Sequence, residues 1–183
     1  MTRRPLPRPA AWRAVARCVG TTGLLLVRGE LRMPRGHTGR VFRFADDTGA
    51  WVYRETVVTR EPERPCVLVV TFRLRRIRGR GHAAFRRESL LNTPLFAGFP
   101  GFVSKLWLAH DELGRYRGLY VWDDAAAAEH YARSLWRVLE LVSERGSIDY
   151  YVLPGLHRAD VPVDAAAAGP AGEGAWWRAV AVS

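Results

Sequence analysis

Between Gly39 and Val58 large apolar and polar residues alternate, in VFRF and again in WVYRETVV, with ADDTGA between the two runs. Period-two alternation around Asp and Gly predicts a β-hairpin. Glu61-Pro62-Glu63-Arg64-Pro65 follows, and two prolines so close together cannot continue a ladder, which predicts a domain boundary. CVLVVTFRLRR opens on a continuous apolar run, the pattern of a strand buried on both faces. From His82 to Leu95 apolar residues recur at helical spacing, predicting a helix that stops near Pro94. FAGFPGF forces a turn, and FVSKLWLAH and RYRGLYVWD, joined by DELG, read as a second hairpin. Asp123 or Asp124 can cap the next helix, which is expected to run to Gly146 with Tyr131, Leu135, Val138, Leu139 and Val142 as its apolar stripe. IDYYVL, closed by Pro154, is the last expected strand of this block.

The order from residue 65 to 158 is therefore β-α-β-β-α-β. It defines an α+β, ferredoxin-like core in which two helices cover one face of a four-stranded antiparallel sheet. The other face is expected to be apolar and open, so a sheet-to-sheet homodimer is the expected partner. Residues 1–38 read as a basic arm followed by a short helix or loop. The arm, 1–11, carries Arg with three prolines, and Gly20 and Gly23 limit any helix in Trp12–Leu26. The hairpin of 39–60 is an extension to the core. Residues 159–183, with the low-complexity stretch DAAAAGPAGEGA, read as a mobile C-terminal tail ending in the apolar segment WWRAVAV.

Charge changes this picture less than its size suggests. The formal net charge is +10, which points to nucleic acid or an anionic surface. Residues 1–90 hold 20 Arg against 7 acidic residues, whereas 91–183 hold 7 Arg and Lys105 against 11, so the basicity belongs to one half. Arg outnumbers Lys 27 to 1 in a chain rich in Ala, Gly, Pro and Val, a bias of composition that argues against nucleic acid as partner. The cluster Arg73, Arg75, Arg76, Arg78 and Arg80 is either a phosphate-binding patch or a solvated strand end. Two cysteines, Cys18 and Cys66, without CxxC spacing exclude a disulfide scaffold or zinc ribbon and suit a reducing, cytoplasmic setting. The apolar run Thr21–Val27 is too short to cross a bilayer, and no membrane partner is expected.

The phrases NTPLFAGFPGFVSKLW and YRGLYVWD, with the helix and strand after them, resemble the YdhR-like branch of the dimeric α/β-barrel superfamily, whose members are described as monooxygenases. The resemblance covers about residues 65–158. It implies the ferredoxin-like fold, a dimeric α/β barrel, and a small-molecule enzyme without a fixed catalytic motif. Relatives in the wider superfamily include cofactor-free oxygenases, polyketide cyclases, haem-degrading enzymes and isomerases, among which the fold does not choose.

Strand alternation supplies the candidate site. Val103, Lys105 and Trp107 share one face, as do Tyr116, Gly118, Tyr120 and Trp122, while Leu106, Leu108, Leu119 and Val121 form an aliphatic set suited to a dimer seam. An aromatic pocket holding Lys105 would suit a planar phenolic or anionic substrate, with Trp107, Tyr120, Trp122 and Tyr131 stacking on it and Lys105 stabilising the anion. The alternative is an aromatic core with Lys105 reaching to the surface. His130 is a candidate general base or an exposed histidine, and Asn92 a candidate oxyanion donor or a helix-end residue bonding its own backbone. His82 and His110 lie at element ends, and Asp149 starts a strand.

GxGxxG, GxxxxGK[ST] and GxSxG are absent, so nucleotide and serine-hydrolase chemistry lose their usual cradles. No metal is expected from five scattered histidines and no cofactor is expected, although one haem-ligating histidine stays compatible with the sequence. Three readings follow: a cofactor-independent oxidation of a small aromatic or polyketide-like molecule, a cyclase or isomerase in the same pocket, and a non-catalytic basic binding module.

Overall fold

The computed structural model describes residues 4–75, 77, 79–161 and 173–183. Helix α1, Arg8–Val27, opens the chain and is followed by the short strand β1 (Leu31–Arg32) and by the hairpin β2 (Val41–Phe44) and β3 (Gly49–Val58). Then come β4 (Cys66–Arg73), α2 (Arg80–Glu88), β5 (Phe102–Leu108), β6 (Arg115–Trp122), α3 (Ala125–Leu139), β7 (Asp149–Pro154) and β8 (Ala179–Val182). The sheet runs β7-β4-β6-β5-β3-β2-β8, with β1 also on β3. The first four of these strands and their helices give a curled antiparallel sheet consistent with a ferredoxin-like fold.

The 61–65 segment does not separate two units. Residues Val52 to Val57 of β3 pair with Leu108 to Ser104 of β5, so the N-terminal hairpin continues the same sheet. Strand β3 ends at Val58, before either proline, and the connection is then held by Asp123, whose carboxylate accepts the backbone N–H groups of Glu63 and Arg64. That leaves Asp124 as the cap of α3, accepting from the Ala126 N–H at 2.7 Å.

The face expected to be open is covered by the chain itself. Val67, Val69, Leu106, Leu108 and Leu119 pack against Phe42, Phe44 and Val52 of the hairpin and against Trp176 and Ala179 near the C-terminus, and all are buried within one chain. The far ends of the curled sheet meet where Tyr151 stacks on Trp177, 4.1 Å between ring centroids. The aliphatic face expected to form a dimer seam is thus covered within one chain, by β2, β3 and β8. The terminal segment is accordingly no mobile tail over 176–182. Ala179 to Val182 pair with β2, and Arg178 is buried; the low-complexity residues 162–172 lie outside the described residues.

A buried ionic cluster fastens this cover. Arg117 of β6, fully buried, reaches Asp111 at 2.7 Å and Asp46 at 3.1 Å, and donates to the Trp176 carbonyl at 3.1 Å. Arg115 bonds the same two carboxylates. The hairpin turn, β6 and the C-terminal segment are thus tied by charges whose separate burial would be costly.

The helices also depart from expectation. Helix α1 begins inside the presumed arm because Pro9 sits in its first turn, where a missing N–H costs no bond. Gly20 and Gly23 do not interrupt it. The helix expected over 82–95 is α-helical only to Glu88 and then tightens to a 3₁₀ segment, Ser89–Leu95, which contains Pro94. Helix α3 stops at Leu139 instead of reaching Gly146, because the chain turns so that the Val142 carbonyl accepts the Arg75 N–H at 2.9 Å.

Candidate active site

A cavity of about 250 Å³ lies between the sheet and the helical layer. Strands β5 and β6 form its floor, in a register that sets Lys105 opposite Tyr120 and Trp107 opposite Gly118. A bulge between Phe102 and Ser104 breaks the alternation, so Phe102 rather than Val103 joins the helix-side core. Gly118 is required where it stands: a Cβ there would come within 2.6 Å of the Tyr120 ring.

Lys105 is 6% exposed and points into this space. Its Nζ lies 3.2 Å from the Trp107 ring centroid, 4.4 Å from Phe96 and 4.8 Å from Tyr120. None of the ion pairs among the described residues involves it. Burial, and secondarily the Arg54 guanidinium, hold its pKa well below the usual lysine value. The rings favour the cation by their π faces, yet without a carboxylate they do not repay the lost hydration.

Trp107 is fixed by its indole N–H, which donates to Thr56 Oγ1 at 3.0 Å. Tyr131 of α3 donates to the Tyr120 hydroxyl at 3.1 Å, and burial raises the pKa of both phenols. Asn92 lines the cavity from the 3₁₀ segment and is half-buried. Lys105, Asn92, Trp107, Tyr120 and Tyr131 are therefore brought together.

Two expected site residues are not. His130 is exposed on α3, because its neighbour Tyr131 takes the inward position and adjacent helical residues diverge by about 100°. Trp122 has no exposed surface and fills the core between Phe102 and Tyr131, outside the cavity lining. Asp149 bonds the Tyr150 N–H at the start of β7 and is no part of the cavity.

The hairpin contributes groups that sequence reasoning assigned elsewhere. Tyr53 of β3 lines the cavity and donates to Ser89 Oγ at 3.2 Å, with its own pKa pushed up to about 12 by burial. Arg54 donates to the same Ser89 oxygen at 3.1 Å and to the Arg86 carbonyl at 2.9 Å, pinning α2 to β3. The alternating WVYRETVV run marks Tyr53 and Arg54 as strand neighbours, which alternation alone would put on opposite faces; a bulge between Val52 and Arg54 turns both toward Ser89. At the outer wall Tyr116 bonds His82 Nδ1 at 2.9 Å, and His82 stacks on His110 at 3.9 Å between centroids. No histidine lines the cavity among the described residues, and no cluster of three metal-ligating side chains occurs among them. Of the arginine cluster, Arg73 pairs with Glu144 at 3.5 Å and Arg75 bonds the carbonyls of Glu140 and Ser143.

No protein-family model matches the chain, and no curated protein does. Among solved structures it is similar to a major regulator of staphylococcal pathogenesis, at 12% identity and a TM-score of 0.43, over 75% of this chain and 94% of that one. It is also similar to an uncharacterized ferredoxin-fold protein from Listeria monocytogenes related to antibiotic biosynthesis monooxygenases, at 10% identity and a TM-score of 0.38. That match covers 61% of this chain and 67% of the other.

Proposed function

We propose that the protein is a cofactor-independent enzyme acting on a small aromatic, phenolic or enolic molecule in this cavity, by a monooxygenase-type oxidation. The observation that carries the reading is Lys105, an amine buried without a carboxylate partner on an aromatic floor. A neutral amine there is a base. A phenol entering the cavity gives its O–H proton to Lys105 Nζ, and the resulting ammonium and phenolate neutralise each other where neither charge alone is well solvated. Phe96, Trp107 and Tyr120 bound the anion with flat faces, and Asn92, on the same lining, donates its amide N–H to a substrate oxygen. Dioxygen then oxidises the electron-rich anion: at an activated CH₂, one oxygen atom becomes a carbonyl oxygen and the other leaves as water with the two hydrogens.

The volume bounds the substrate. A cavity of about 150 Å³ accepts benzene, so 250 Å³ suits one or two rings rather than an extended polyketide. A second reading, isomerisation or cyclisation, uses the same proton transfer without oxygen, and the Tyr131–Tyr120 hydroxyl pair beside Lys105 favours it by offering a proton relay.

The test uses 2-naphthol as probe. Bound to the native protein it is expected to show the absorption of the naphtholate at a pH where free naphthol is protonated, and Lys105→Met is expected to abolish that spectrum. Binding of the neutral form only, or an unchanged spectrum in the variant, would remove Lys105 from the role of base. An oxygen electrode run with activated CH₂ analogues separates oxidation from isomerisation.

A further inference from the structure

Helix α1 is built inside out for a surface helix. The residues it buries are small: Ala11, Val15, Cys18 and Thr22, recurring on one face and packed against α3 and the 3₁₀ segment. Apart from Leu25, which packs on the core, its larger apolar residues face outward. Trp12 is 46% exposed, Val19 44%, Leu24 58%, Leu26 53% and Val27 88%. Trp12, Val19 and Leu26 stand seven residues apart, one line about 21 Å long on the helix surface. An ordinary solvated helix presents charged residues there.

The charges that do occur are of one sign. Exposed Arg8, Arg13, Arg17 and Arg28 accompany the line, and no acidic residue occurs between Arg4 and Gly29. A second copy of the chain would bring a like-charged helix against this one. Crossing a bilayer is equally closed to it, although its 20 residues are apolar enough by length and composition. Gly98 lies so close under the helix that a Cβ there would fall 2.2 Å from the Cys18 carbonyl oxygen and 2.6 Å from the Thr22 nitrogen. The Cys18 thiol and the Thr22 hydroxyl both reach the Pro94 carbonyl, at 3.2 and 3.4 Å. One side of α1 belongs to the folded domain, and only the other side is available.

We propose that α1 is a membrane-surface element: it lays Trp12, Val19, Leu26 and Val27 into the headgroup–acyl boundary of an anionic bilayer, with its arginines on the lipid phosphates. Exposed apolar side chains that include a Trp, set among arginines with no acidic residue, are groups that the interface of an anionic bilayer accepts. This revises the expectation from sequence that no membrane takes part, which weighed only the seven-residue run Thr21–Val27 and only the possibility of spanning.

The test is co-sedimentation of the full chain with phosphatidylcholine vesicles, with and without about one third phosphatidylglycerol. The native protein is expected to pellet with the anionic vesicles and to stay in solution with the neutral ones. Arg13→Glu with Arg17→Glu is expected to weaken pelleting by about tenfold or more, each arginine near an anionic surface being worth several-fold. Trp12→Ser with Leu26→Ser is expected to abolish it. All four positions are exposed, so the variants should keep the circular dichroism and melting temperature of the native protein. Equal pelleting with both vesicle types, none with either, or variants that pellet like the native protein would overturn the proposal. So would self-association in sedimentation equilibrium that the same substitutions remove, which would assign the stripe to a second copy.

Discussion

Replacing Lys105 by Met should make the protein more stable. Met keeps the length and nearly the volume of the lysine stem and leaves no amine to desolvate, so the aromatic floor can close on it without a cavity. Removing an amine from bulk water to a site that offers it no carboxylate costs about 1–3 kcal/mol by mutational measures, and that is the expected gain at pH 7. For a chain of this size it corresponds to a rise in Tm of roughly 2–4 °C per kcal/mol.

The pH dependence gives the sharper check. The folded-state pKa of Lys105 is depressed by burial, with Arg54 adding to it, whereas the unfolded chain titrates near 10.5. Between the two values the unfolded state binds more protons, so native stability rises with pH across that interval, by about 1.4 kcal/mol for each unit of separation. The advantage of the Met variant should therefore be greatest at neutral pH and shrink as pH approaches 10.5. Urea denaturation of both proteins at pH 7 and pH 9.5 measures the difference. A Lys105→Met protein that is less stable than the native one at pH 7, by an amount independent of pH, would refute the reasoning. It would mean that the three rings hold an ammonium more favourably than water does.

Two other variants probe the frame around the site. Gly98→Ala should be strongly destabilising, because its new methyl meets the backbone of α1, which cannot swing aside as a side chain can; thermal unfolding should show a loss of about 1–3 kcal/mol or more, and an unchanged Tm would mean that α1 is not seated there. His82 and His110 both have pKa values lowered from 6.5, first by burial, then by Arg86 for His82 and by His82 for His110. The unfolded chain takes up their protons first as pH falls, so stability should decline below about pH 6.5. His82→Gln with His110→Gln should flatten that decline between pH 7 and 5; an unaltered slope would show that other groups produce it.

The sequence made the site's floor readable and hid its walls. Strands β5 and β6 are runs of aromatic and β-branched residues joined by the six residues 109–114, so their alternation put Lys105, Trp107 and Tyr120 on one face. The stripe of α3 likewise marked Tyr131 as inward. Alternation could not separate Trp122 from Tyr120, two residues apart on one strand, because only the packing of Phe102 and Tyr131 decides which ring meets the cavity. Tyr53 and Arg54 were hidden for a different reason: β3 reaches β5 across about 50 residues, and the prolines between them look locally like a boundary. Strand β8 is four residues after a low-complexity stretch, and nothing short of its pairing with β2 distinguishes it from a tail. The large, outward residues of α1 defeat the amphipathic rule by reversing it.

The covering of the sheet's second face by β2, β3 and β8 has a consequence for how the protein behaves on dilution. Where a partner subunit supplies such a cover, the working unit exists only above a dissociation constant. Here the cover is covalently linked to what it covers, and its local concentration is set by the intervening chain rather than by expression level. On the function proposed above, activity per chain should then hold constant from about the micromolar range downwards.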